Sequence, residues 1–142
     1  MKKIMLVGKT GSGKTSLTQR LMNQEIDYKK TQAIEFCGGV IDTPGEYVEN
    51  RMYYKALIVS ACDVDVVALV QDAVAEDSLF PPEFATAFNK EVIGIVTKID
   101  KASHTECAKD YLKRAGAQKI FEISNTEDIG IDELKSYLRT IS

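Results

Sequence analysis

The sequence predicts a doubly wound α/β domain with three layers. Its sheet is mostly parallel and six-stranded, with one short antiparallel edge strand. Three observations carry this prediction. Apolar, strand-like runs alternate with helical patterns along the chain. Two of those runs, 64–70 and 92–96, are almost unbroken, as suits strands buried on both faces. Gly38-Gly39 joins two short runs in the manner of a hairpin. At 142 residues the chain is sized for one domain, 1–142.

Each element follows from local pattern. The first strand, 3–7, leads into a glycine-rich loop and a helix over 14–23, where Leu17 and Leu21 share a face. Residues 24–32 are polar and loop-like, and 33–37 and 39–41 form the hairpin. A helix over 50–62 precedes the 64–70 strand. Residues 75–80 form a loop, and Pro81-Pro82 suits the start of a helix over 83–88. The 92–96 strand leads to a helix over 103–115, with Ser103 as its N-cap and Gly116 closing it. After a last strand, 119–123, the final helix spans 131–141 and repeats Ile131, Leu134, Leu138 and Ile141 on one face.

Composition narrows the function classes. The net charge of −3 offers no electrostatic case for a nucleic-acid or anionic-membrane partner. No apolar run reaches the length of a membrane span, and four apolar residues, Ile4 to Val7, are too few for a signal peptide. Cys37, Cys62 and Cys107 are odd in number and widely spaced, which reads as reduced thiols in a cytoplasmic protein. A single histidine, His104, leaves almost nothing from which to build a zinc site or a Ser-His-Asp triad, and its place after Ser103 suggests a solvated first-turn residue.

Gly8-Lys9-Thr10-Gly11-Ser12-Gly13-Lys14-Thr15 fills every fixed position of G-x-x-x-x-G-K-[ST], between a strand and a helix start. Strand, glycine loop and helix in that order make a phosphate cradle. The glycines permit angles and close approach that a Cβ blocks. Successive amide N–H groups and the positive helix end then face the anion. Lys14 is expected on the β- and γ-phosphates, and the Thr15 hydroxyl on Mg²⁺. Residues 8–16, ending at Ser16, are thus the expected phosphate-binding segment.

Two further motifs fall at strand ends. Val40-Ile41-Asp42-Thr43-Pro44-Gly45 places Asp42 to hold Mg²⁺ through water, opposite Thr15, and the Gly45 N–H to approach a γ-phosphate. Thr97-Lys98-Ile99-Asp100 closes the 92–96 strand. The Asp100 carboxylate matches the adjacent N–H donors of guanine, which adenine does not present, and the Lys98 stem can cover a base.

The order of residues 8–15, Thr31, 42–45, 97–100 and Ser124 resembles the Ras-like P-loop GTPases over nearly the whole chain. That resemblance implies the three-layer P-loop NTPase fold, with GTP or GDP as ligand and ATP as the alternative nucleotide. It also implies that Thr31 joins Mg²⁺ and the γ-phosphate, and that Ser124 and Asn125 lie in the last base-contacting loop. More narrowly, Lys30-Thr31-Gln32-Ala33-Ile34-Glu35-Phe36 and the run from Val40 to Glu46-Tyr47 look like the EutP/PduV group of ethanolamine and propanediol utilisation. The resemblance implies a role beside a bacterial microcompartment, with a shell or enzyme partner.

Three departures qualify that resemblance. Only ten residues separate Thr31 from Asp42, so the strands between must be short. Glu46 stands where many Ras-like enzymes have a water-orienting Gln, so slow hydrolysis is expected. Ser124-Asn125-Thr126 replaces a Ser-Ala-Lys type of loop. The expected catalytic set is therefore Lys14, Thr31, Gly45 and Glu46, with Arg20 and Arg51 read as ordinary surface arginines. Two other functions stay open: an acetate-type kinase with Lys29, Lys30 and Arg51 around the acceptor, and a non-catalytic module. The module would order switch loops 24–32 and 46–50, and could dock a partner through Phe80, Pro81, Pro82 and Phe84.

Overall fold

Ile4, Met5, Leu6 and Val7 are all wholly buried, so the first strand must lie in the middle of the sheet with core on both sides. A computed structural model of the chain, describing residues 2–22, 35–37 and 39–140, shows how this is achieved. The strands are β1 (Ile4–Val7), β2 (Glu35–Cys37), β3 (Val40–Asp42), β4 (Val66–Asp72), β5 (Glu91–Thr97) and β6 (Lys119–Glu122). They form one six-stranded sheet in the order β2-β3-β1-β4-β5-β6. Every neighbouring pair is parallel except β2 and β3, the antiparallel edge. Fold class and strand arrangement both agree with the expectation from sequence.

Alternation along each strand sends side chains to opposite faces. Ile4 and Leu6 join Leu17 and Leu21 of α1 (Lys14–Leu21) and Leu134 and Leu138 of α5 (Ile131–Thr140). Met5 and Val7 join the opposite cluster. That cluster is built by α2 (Glu46–Glu49), α3 (Tyr54–Ala61) and α4 (Glu106–Arg114), through Val48, Leu57 and Leu112. The result is helix, sheet, helix.

Several helix limits differ from the expectation, each for a local reason. The helix expected over 50–62 starts only at Tyr54. Asn50 is extended (φ −131°), and its side chain accepts from the Met52 N–H at 3.0 Å, which diverts the backbone from a continuous helix. A 3₁₀ turn over Arg51–Tyr53 fills the gap, and residues 46–49, expected as loop, are helical. The helix expected over 83–88 is one 3₁₀ turn, Phe84–Ala87, because Glu83 takes a left-handed conformation (φ 60°). The helix expected from Ser103 begins at Glu106 with Thr105 at the cap position. The Thr105 hydroxyl donates to the Glu122 carboxylate and supplies no cap. Ser103 is thus no N-cap, and His104 is exposed ahead of the helix, 3.6 Å from the Glu106 carboxylate. Ile141 and residues 23–34, including the polar 24–32 stretch, lie outside the described residues.

Phe80 and Phe84 decide between a docking surface and a loop packed onto its own domain, the commoner arrangement. Both are buried and stack at 5.8 Å between centroids, with Phe88 edge-on to Phe84 at 5.2 Å, so they fill the core and offer no docking surface. Among the described residues, no helix is long and apolar enough to cross a membrane.

The α4 face rests on Leu112, fully buried against the middle of β5 where Gly94 has no side chain to obstruct it. Leu112→Ala should therefore lower the unfolding free energy by about 2–5 kcal/mol in a urea titration. A loss below about 0.5 kcal/mol, the size of an ordinary surface substitution, would contradict this packing.

Candidate functional site

The glycine-rich loop runs from buried Gly8 at the end of β1 to the start of α1, and protein donors hold its carbonyls from behind. The Thr97 hydroxyl donates to the Ser12 carbonyl at 2.5 Å. Lys98 Nζ donates to the Gly11 carbonyl at 2.6 Å and to Asp72 at 2.8 Å. Lys14 Nζ reaches the Lys9 carbonyl at 3.3 Å, and Asn125 Nδ2 the Gly13 carbonyl at 3.5 Å. In a trans peptide the next N–H points away from the carbonyl. The tethers on Ser12 and Gly13 therefore turn the N–H groups of Gly13 and Lys14 to the other side. Gly13 makes this turn at φ 100°, which an L side chain rarely adopts, and a Cβ there would lie 3.4 Å from Thr97.

The end of β3 supplies the second wall. Thr43 Oγ1 donates to the Leu6 carbonyl at 2.7 Å, which clamps β3 to β1 just past the paired Leu6 and Asp42. Asp42, buried, accepts from Thr15 Oγ1 at 2.9 Å. Lys14 is buried beside them, and Ser16 lies buried one residue further along α1. Burial pulls the Lys14 ammonium below the ordinary lysine value, while the charges of Asp42 and Glu49 oppose that shift. Lys9 is half-buried, with Nζ 3.4 Å from Asp77.

Pro44 and Gly45 carry the chain directly onto the loop. A Cβ on Gly45 would lie 2.2 Å from Thr10 N and 2.6 Å from its Cα, so this approach admits only glycine. Val48, buried in the core, anchors α2 in place. Glu46 at the start of α2 is exposed, and among the described residues its carboxylate makes no hydrogen bond or ion pair. The carboxylate that reaches the loop is that of Glu49. Its Oε2 accepts from Thr10 N at 3.1 Å and from Thr10 Oγ1 at 2.9 Å.

The third wall lies past β5 and β6. Asp100 is exposed, and Ser124 Oγ, fully buried, donates to its Oδ1 at 2.7 Å and so fixes the carboxylate. A backbone bridge between Ser124 and Ile129 shapes the loop that carries Ser124 and Asn125. Residues 8–16, Asp42, Gly45, Thr97, Lys98, Asp100, Ser124 and Asn125 thus gather at the carboxyl ends of β1, β3, β5 and β6, where ligands bind in such sheets. Thr31, Lys29 and Lys30 fall outside the described residues. Arg20 is paired with Asp128, and Arg51 is exposed, as surface arginines would be.

Residues 1–140 match the family described as "Ethanolamine utilisation - propanediol utilisation". The chain belongs to the PduV-EutP family. It is 49% identical over 140 residues to the propanediol utilization protein PduV of Citrobacter freundii, covering 97% of this chain and 93% of that protein. Over 146 residues it is 33% identical to an Escherichia coli protein called "Probable acetate kinase EutP", covering all of this chain and 92% of the relative. In fold it is similar to Methanosarcina barkeri Roco2 RocCORdC bound to GDP (TM-score 0.68, 23% identity). That match covers 97% of this chain and 47% of the other. The doubly wound sheet with its glycine loop after β1 is thus the three-layer P-loop NTPase fold expected from the sequence.

Two residues of this PduV-EutP chain were not singled out by sequence. Glu49 carries a faint signal, since it lies three positions from Glu46 and therefore one turn along the same helix face. Asp72 carries none beyond its place at the end of a buried strand. The rear tethers themselves are testable. Thr97→Val keeps the shape but leaves the Ser12 carbonyl without its buried donor, which should cost about 1–3 kcal/mol of stability in urea unfolding. Unchanged stability would show that the loop does not depend on that bond.

Proposed function

We propose that this protein binds GTP and GDP with Mg²⁺ as one domain and hydrolyses GTP slowly. Its setting would be ethanolamine or propanediol utilisation in the cytoplasm beside a bacterial microcompartment, where a shell or enzyme protein is its partner. One observation carries the reading. The Thr15 hydroxyl and the buried Asp42 carboxylate meet at 2.9 Å in the mouth of a loop whose carbonyls are tied back, with Lys14 alongside. That arrangement suits a polyanion and its counter-cation.

The donor set fits Mg²⁺. Among the described residues, no group of three or more His, Cys, Asp or Glu could hold a metal by itself. Mg²⁺ does not need one, because it keeps waters and takes other oxygens from phosphates. Thr15 would ligate it, Asp42 would hold it through water, and Thr31 would join them. When bound, the ion neutralises charge on the phosphate oxygens. Lys14 and the loop amides would stabilise the charge that develops on the transferring group, and the Gly45 N–H would face the γ-phosphate. Asp100, fixed by Ser124, would select guanine, with Thr97 and Lys98 seating the loop beneath it.

Slow turnover follows from Glu46. It cannot orient water as an amide does, a γ-phosphate repels its charge, and it is exposed. The name of the Escherichia coli relative supports a second reading, transfer of the γ-phosphoryl group to acetate. Incubation with Mg²⁺ and GTP or ATP, with and without acetate, separates the two. We expect nucleoside diphosphate from GTP at a rate that acetate does not alter. Acetate-dependent formation of acetyl phosphate would establish the kinase instead. Asp100→Asn should move preference from GTP toward xanthosine triphosphate, and unchanged selectivity would remove Asp100 from the base-reading role.

A further inference from the structure

We propose that Glu49 is an internal competitor of the terminal phosphate, a latch that holds α2 on the phosphate loop until a triphosphate displaces it. The proposal rests on the nucleotide reading above and adds a means of telling triphosphate from diphosphate. Three observations converge. Glu49 Oε2 takes both donors of Thr10, the backbone N–H at 3.1 Å and the hydroxyl at 2.9 Å. The Glu49 charge also acts on Lys14, the side chain expected on the β- and γ-phosphates. Gly45, expected against the γ-phosphate, lies in backbone contact with the same Thr10. The carboxylate therefore stands at the γ-phosphate end of the loop, with the charge sign and acceptor geometry of a phosphate oxygen.

A γ-phosphoryl group entering there would meet a like charge and donors already engaged. A diphosphate, lacking that group, would leave Glu49 where it is. Displacement has a mechanical outlet. Glu49 is the last residue of α2, followed by the extended Asn50, and Tyr47 of α2 stacks on Tyr53 at 4.8 Å between centroids. Release of the carboxylate frees the outer end of α2 and strains that stack, while buried Val48 resists the motion. The exposed carboxylate is thus a conformational constraint with its release tied to one ligand group.

The test is calorimetric titration with Mg²⁺ and either GDP or a non-hydrolysable GTP analogue, on the wild-type chain, Glu49→Gln and Glu49→Ala. Glu49 is exposed, so both variants should fold, which circular dichroism checks. The latch predicts that both variants bind the triphosphate analogue about tenfold more tightly while GDP affinity stays within about twofold. Hydrogen exchange across 46–53 in the wild type should rise with the triphosphate analogue and not with GDP. Equal changes for both nucleotides, or unchanged or weaker triphosphate binding, would overturn the latch and leave nucleotide binding intact. If the wild type and both variants bind neither nucleotide, the nucleotide reading fails and the latch falls with it.

Discussion

A loop that grips an anion with main-chain amides must first have its carbonyls satisfied elsewhere, because each peptide carries both groups in opposite directions. In this chain that constraint is met by side chains from two distant strand ends. Thr97 ends β5, Lys98 follows it, Asn125 lies past β6, and together they hold the carbonyls of Ser12, Gly11 and Gly13. The loop's shape is therefore a property of the whole sheet. A change 85 residues away in sequence bears directly on it.

The sheet order explains why those strand ends are available. With β1 central and β3 and β4 on either side, the chain leaves β1 at the point where connections diverge to opposite faces. The clamp from Thr43 to Leu6 fixes the end of β3 against β1, and so sets Asp42 within reach of Thr15. Two separate apolar clusters, one on each face, hold this frame rigid while α2 rests over its mouth on a single buried valine. The rigid part carries Lys14, Thr15 and Asp42, and the part with least anchoring carries Glu46 and Glu49.

Much of this was legible in the sequence where a residue's role depends on its neighbours. The glycine loop, the doubly buried strands and the Ile131, Leu134, Leu138 stripe all announce themselves through local pattern. The places of Asp42, Asp100 and Ser124 were legible because each stands at or past the end of an apolar strand, and the sheet puts strand ends together. What could not be read depends on contacts between distant segments or on single backbone angles. The break at Asn50 and the left-handed turn at Glu83 override helical patterns that extend across them. Glu49 finds its partner 39 residues back, whereas local pattern points to Glu46, the residue directly after Gly45. Local pattern makes the Lys98 stem a cover for a base, and in the fold its ammonium also ties the loop to Asp72.

The central claim is that the backbone N–H groups of Gly13 and Lys14 meet the phosphates. Amide-resolved NMR of the ¹⁵N-labelled chain, titrated with GDP and Mg²⁺, addresses it most directly. The account predicts large shifts of the Gly13 and Lys14 amides as their hydrogen bonds to phosphate form, with smaller changes at Thr10 while Glu49 keeps its bond. Gly13 and Lys14 resonances left in place while others across the sheet respond would contradict it, as would no response anywhere.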